Sequence, residues 1–252
     1  MNDFSLQGKV WLGTRLITGR AGAMQWLGDN SELSLKLTTD KSERTESYSG
    51  QRLTSAVLQK AKKAEISIKP NQLNPRVLAL ALYANIVETI AGTVTAEPLP
   101  DGLVVGDTVV LDHPYSSAHV ITDSTGTPVT LVPGTDYKVE SAEASLITLL
   151  SLGSPAFTPP LKVAYSYAKS ADTAMFTAPI PEKYLVFDGI NTLTGEHLLL
   201  RLYRCQFDPV SQMDFISADL GELSLSGSVL FDTINAADAT LGGFGKLQIP
   251  GS

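Results

Sequence analysis

Histidines occur at 113, 119 and 197 only, and of all the side chains in the sequence they come nearest to a metal-ligating or acid-base set. A metal site needs His, Cys or carboxylate ligands at spacings that let three or four converge. Asp112-His113-Pro114 with His119 is the nearest approach, but none of the three histidines has a Cys or another His at ligand spacing, so a solvated loop explains the group better. A hydrolytic nucleophile would need a Gly-x-Ser-x-Gly elbow followed by a helix, or an activated thiol. The single cysteine, Cys205, sits in an apolar run without an adjacent His, where a thiol packs instead of attacking. Gly242-Gly243-Phe244-Gly245-Lys246 has the glycines of a phosphate loop. It lacks a Ser or Thr after the lysine and a helix to follow, and reads instead as the entry to a last strand, Lys246 to Ile249. Glu43 and Glu46 could act as paired carboxylates, but they stand in a polar stretch where a solvated face is the default. No catalytic, cofactor-binding or metal-binding constellation emerges, and no cofactor is expected. An enzyme assembled from scattered residues stays open as an alternative.

The elements that would have to position such groups are mainly strands. Between Ser31 and Ala56 the chain begins as a half-buried strand, with Leu33, Leu35 and Leu37 alternating against polar neighbours. From Thr38 to Gln51 the apolar face is gone. Tyr48 is the one large apolar side chain there, while Asp40, Lys41, Glu43, Arg44 and Glu46 crowd together. Such a segment cannot bury enough surface to offset the entropy of ordering it. It is either a mobile loop or an arm for another subunit, since a lone two-stranded ribbon is marginal in water.

With 252 residues, 43% of them hydrophobic, the chain has enough apolar material for one large or two modest cores and is not disordered. The apolar run around Val77 to Ile90 falls short of the roughly 20 residues of a membrane span, so no membrane association is expected. The start, MNDFSLQGKV, has an acid and no apolar signal core. One cysteine excludes an internal disulfide and fits folding in a reducing cytoplasm. A formal charge of −7 argues against a general nucleic-acid binder, which needs basic faces to neutralise phosphates.

Charge also divides the chain. From Thr93 to Thr177 nine acids face three lysines, so this stretch carries −6 and leaves the remainder at −1. No arginine occurs between Arg76 and Arg201. A shift of this kind predicts a module over residues 93–173 inserted in a host made of residues 1–92 and 174–252. Within the insert, strands are expected at Leu103 to Leu111, His119 to Thr122, Val129 to Val132, Tyr137 to Glu140, Ser145 to Leu150 and Leu161 to Tyr167. Turns fall at Asp123-Ser124-Thr125-Gly126 and Pro133-Gly134-Thr135-Asp136. Strands and turns at this spacing make a small all-β sandwich, immunoglobulin-like by strand count and without a Cys…Trp…Cys signature.

In the host, strand-like runs occur at Lys9 to Leu12, Glu32 to Thr38, Ala64 to Ile68, Tyr184 to Asn191, His197 to Phe207 and Gly221 to Asp232. Asn74-Pro75 supplies an N-cap and first-turn proline for one helix through RVLALALYANIVETI, apolar around most of its circumference. Strict alternation along HLLLRLYRCQF puts Leu198, Leu200, Leu202 and Arg204 on one face and Leu199, Arg201, Tyr203 and Cys205 on the other. Both faces are substantially apolar, so one is expected to meet the core and the other a neighbouring subunit.

The run FISADLGELSLSGSVLFDTINAADATLGGFGKLQI, preceded by YLVFDGINTLTGEHLLLRLYRCQFDPV, resembles the C-terminal half of major tail (tail tube) proteins of long-tailed bacteriophages. There, two long strands are followed by one ending in a pattern like Leu-Ser-Gly-Ser-Val-Leu-Phe-Asp (Leu225 to Asp232 here) and a short closing strand. The long polar hairpin from Leu33 to Leu53, a strand ending at Pro70 and a helix opening at Asn74 resemble the N-terminal half. The resemblance covers residues 1–92 and 174–252 in pattern and order. It implies a mainly β fold, a sandwich or incomplete barrel with a flanking helix, and the long hairpin as an inter-subunit arm. It implies hexameric rings stacked into a hollow tube of the virion that conducts double-stranded DNA at genome ejection. The implied partners are further copies of the chain and the tail-initiation, tape-measure and tail-terminator proteins. The acidic insert would then be an outward decoration, which favours a non-contractile tail. The alternative is a receptor- or carbohydrate-binding tail accessory protein, which would cluster exposed aromatics on loops.

Overall fold

The computed structural model describes residues 3–218, 220–221 and 223–249. In chain order the strands and helices are β1 (Leu6–Arg15), β2 (Ala21–Trp26), β3 (Asn30–Thr45), β4 (Thr54–Pro70), α1 (Pro75–Ala81), β5 (Asn85–Thr89), β6 (Gly92–Pro98), β7 (Thr108–Val110) and β8 (Ser116–Thr122). They continue with β9 (Tyr137–Ser141), β10 (Leu146–Leu149), β11 (Lys162–Tyr167), β12 (Ser170–Ala174), β13 (Glu182–Asn191), β14 (His197–Phe207), β15 (Leu225–Val229), α2 (Thr233–Ala236) and β16 (Gly245–Gln248). The chain is mainly β, in several antiparallel sheets. It divides into two compact units, Met1–Ile86 with Thr173–Ser252, and Val87–Asp172.

The first unit is built on one eight-stranded sheet in the order β2-β1-β13-β14-β15-β4-β3, with β16 also paired to β14. Its inner residues come from widely separated strands: Val10 and Leu12, Ile66 and Ile68, Leu185, Leu202, Cys205 and Phe207, Leu225 and Val229. Val77, Leu80 and Ala81 of α1 close the cluster. Alternating burial makes each strand contribute one face to this core. At Gly227 a glycine is required by close approach, because an added Cβ would lie 2.3 Å from the Gln206 carbonyl oxygen where β15 meets β14.

Three expectations for this unit need correction. The helix stops at Ala81 instead of running on through RVLALALYANIVETI, and Asn85–Thr89 becomes a strand. Tyr83 takes a positive φ of 49° and anchors the break by donating its hydroxyl to the Phe207 carbonyl at 2.6 Å. The β-branched Ile86, Val87 and Thr89 then suit extended backbone. The strict alternation assumed along β14 also fails. Leu185 pairs with Leu202 but Lys183 with Cys205, so β14 carries an extra residue and Leu202, Cys205 and Phe207 all reach the core. On the other side Tyr203 is covered by its own chain, donating its hydroxyl to the Leu241 carbonyl at 3.0 Å. Finally, β2 is an additional edge strand where no strand was expected.

The second unit has two three-stranded sheets, β7-β10-β9 and β6-β11-β8. Both feed one core: Tyr137, Ile147 and Leu149 from the first sheet, Ile121, Val163 and Tyr165 from the second, with Leu99, Leu111, Leu131 and Leu161 from loops. This is the packing of a small sandwich. Leu103 to Asp107 and Val129 to Val132 lie outside its regular strands, the latter held by an isolated bridge from Thr130 to Thr122. The unit starts at Val87 rather than Thr93, because the chain has already left the helix before the acidic stretch begins.

Candidate functional site: the hairpin arm

At its root the β3–β4 hairpin is an ordinary part of the sheet. Leu33 pairs with Ile68, Leu35 with Ile66 and Leu37 with Ala64, and the three β4 partners are buried. Pairing then continues to Thr45 opposite Thr54, while every residue from Thr54 to Lys63 is exposed. None of the residues from Asp40 to Ala61 is buried. The ribbon is thus held by its backbone ladder and by cross-strand pairs such as Lys36–Glu65 at 3.0 Å and Lys63–Asp40 at 2.9 Å. Exposed pairs of this kind contribute about 0.2–1 kcal/mol each and mainly fix the register. Register shifts at Thr39/Lys41 and Arg44/Thr45 add local twist.

The arm differs from the rest of the chain in charge and in what it exposes. Between Asp40 and Lys63 six bases (Lys41, Arg44, Arg52, Lys60, Lys62, Lys63) outnumber three acids (Asp40, Glu43, Glu46), a local +3 in a chain of −7. Leu37, Leu53, Val57 and Leu58 are more than half exposed along it, and Tyr48 at the tip is 90% exposed. At the tip the Glu46 carboxylate accepts hydrogen bonds from the backbone N–H groups of Tyr48 and Ser49 and from the Ser49 hydroxyl. These bonds hold its acidity below the usual carboxylate range. Glu46 therefore closes a turn. β3 is the last strand of the sheet, so the arm's outer edge offers unpaired backbone donors and acceptors, and β2 is the other end. Free edges flanked by charge and exposed apolar groups are suited to strand addition or docking by another chain.

The remaining candidates for chemistry are placed as packing or turn residues. The His113 ring stacks on Tyr167 at 3.9 Å, and its backbone N–H donates to the Tyr165 hydroxyl. His119 meets the Ser116 hydroxyl at 2.7 Å, and burial pushes its pKa down. His197 is exposed at the start of β14. Among the described residues no three His, Cys, Asp or Glu side chains are placed to share a metal ion. Gly245 and Lys246 pair with Leu202 and Arg201 as the closing strand. Cys205 is fully buried, and desolvation pushes its thiol up to about 12. A thiol reagent such as dithionitrobenzoate is therefore expected to leave the native protein unmodified over hours and to titrate one thiol after unfolding; prompt native reaction would contradict this placement.

One charged cluster was not anticipated. Asp232, fully buried, accepts from Arg15 through Nε at 2.8 Å and Nη2 at 3.1 Å, and also caps α2 through the Ile234 N–H at 3.0 Å. Arg15 lies 3.8 Å from Glu182, which in turn accepts from Arg204 at 2.9 Å. The only local signal was Asp232 just ahead of a short helical run. Its partner lies 217 positions away.

A family model described as Protein of unknown function UCP028589 matches residues 3–248. No curated protein matches the sequence.

Proposed function

We propose that this chain, which belongs to that family, is a structural subunit that assembles with its own copies into hexameric rings and tubes, as a tail tube protein of a long-tailed bacteriophage. The observation that carries the reading is the arm, a ribbon with no buried residue from Asp40 to Ala61. An exposed ribbon of this length gains apolar burial, and partners for its free edge, from another chain. Two open sheet edges per subunit support a heterologous contact, which makes a ring when its rotation closes. The resemblance over residues 1–92 and 174–252 supplies the tube, the virion location and the passage of double-stranded DNA. On this reading the protein has no catalytic turnover and no cofactor.

The binding-module alternative finds less support. Of the insert's aromatics, Tyr137 and Tyr165 are buried, Phe157 and Tyr167 are half-buried, and Tyr115 alone is exposed. Sugar and receptor platforms need several open rings. Sedimentation across a concentration series with electron microscopy of the heaviest fraction tests the proposal. Rings or tubes with an open centre are expected, and a protein that stays monomeric at its solubility limit, even with tail-initiation components added, would overturn it.

A further inference from the structure

On the first unit, a cavity of about 300 Å³ lies beside α1, walled by Leu12, Trp26, Leu27, Leu80 and Tyr83. Its rim carries two cations, Arg76 and Lys183. Lys183 sits at the register shift between β13 and β14 and is partly buried, and its ammonium has no ion-pair or hydrogen-bond partner among the described residues. Desolvation alone lowers its pKa. An ammonium on the rim of an apolar cavity can donate to an oxygen of a group seated there. The site therefore asks for a flat apolar body carrying acceptor oxygens.

The arm tip has that composition. Three of its backbone donors are consumed internally: Tyr48 and Ser49 N–H bond to Glu46, and Gln51 N–H bonds to the Ser49 hydroxyl. Among the described residues no donor reaches the carbonyls of Ser47 to Gly50, and the Tyr48 ring stands 90% exposed beside them. The tip thus presents an aromatic ring, a phenol oxygen and bare carbonyls, and the cavity presents apolar walls and donors. Ten strand residues of β4 precede the first buried one, Ala64. At about 3.3 Å each they carry the tip roughly 33 Å out from the sheet's buried edge. An extended ribbon of that length does not return to its own α1.

Resting on the assembly reading above, we infer that Tyr48 of one copy seats in the cavity beside α1 of a second copy, with Lys183 and Arg76 donating to the tip's carbonyl and phenol oxygens. The contact has the form of an aromatic anchor in a preformed pocket. Subunit-to-subunit order along the tube is then set by this lock, to which the paired strands of the arm carry the tip.

Disulfide trapping in the assembled protein tests it. Ala79 also lines the cavity, so Ser47→Cys with Ala79→Cys keeps Tyr48 and brings thiols from the tip and the cavity wall together, while native Cys205 is buried and silent. Mild oxidation of assemblies is expected to give a ladder of covalent multimers on denaturing gels. A control pairing Ala79→Cys with Ile216→Cys, on another exposed apolar loop, is expected to give none. Separately, Tyr48→Ala and Lys183→Met are expected to raise the protein concentration for half-assembly about tenfold or more while leaving thermal unfolding of the subunit unchanged. Assembly of both single variants at the wild-type concentration would overturn the inference, as would a ladder from the Ile216 pair alone. Either of these results leaves the assembly reading standing, whereas a wild-type chain that never assembles removes both.

Discussion

Replacing Asp40–Ala61 with Asn-Gly abolishes assembly and leaves the subunit folded: this is the expected result. The register dictates the cut, because Thr39 faces Lys62 in the ladder, and Asn-Gly suits a two-residue connection between paired strands. No removed residue is buried, so the core is untouched, and the lost Lys63–Asp40 pair is exposed. Loss of about 1 kcal/mol at most implies a Tm within about 4 °C of wild type for a chain of this size. Assembly loses all the arm's ladder groups, its exposed Leu53, Val57 and Leu58 and its Tyr48. In a closed ring each loss is repeated at every interface. Sedimentation with electron microscopy, beside thermal unfolding, reads both halves of the expectation. Normal tubes from the shortened chain would return the arm to a mobile surface loop. Lys41→Glu with Arg44→Glu is a milder form, expected to weaken assembly more at low than at high salt, since the arm's +3 is a screened, exposed charge.

The largest effect on stability is expected at Asp232. Asp232→Ala leaves the Arg15 guanidinium, only 14% exposed, with the more distant Glu182 at 3.8 Å as its remaining carboxylate, and uncaps α2. Breaking a buried pair by removing one partner costs about 3–5 kcal/mol, which lowers Tm by roughly 10 °C. Asp232→Asn keeps a capping oxygen and isolates the charge. The hydrogen bonds from Arg15 hold the Asp232 carboxyl down from 3.8 to about 2. A folded value below the unfolded one stabilises above the unfolded value and is lost as pH falls through the folded one. The wild type should therefore exceed Asp232→Asn by roughly 2–3 kcal/mol at neutral pH, with the gap closing between about pH 4 and pH 2. Urea unfolding at a series of pH values measures this. A gap that stays constant across that range would show that the pairing adds no charge-dependent stability.

Local patterning of the sequence determined much of this molecule. Alternation of Leu33, Leu35 and Leu37 marked a strand root, and the loss of apolar residues after Thr38 marked a segment without a core of its own. Those are statements about solvation, which each residue carries with it wherever the chain goes. The same is true of the acidic stretch, whose charge set it apart as a separate unit, and of Asn74-Pro75, which opens α1 as its residue types require. Where α1 ends was decided by a contact 124 positions away, the Tyr83 hydroxyl on the Phe207 carbonyl, which outweighs the helical propensity of the residues that follow. Faces along β14 were decided by an extra residue in the ladder, because a one-residue shift exchanges inside and outside and leaves no trace in composition. The Arg15–Asp232 pair and the cavity beside α1 draw on residues from both ends of the chain. Only closure of the sheet brings such residues together, and no local property of either segment records its distant partner.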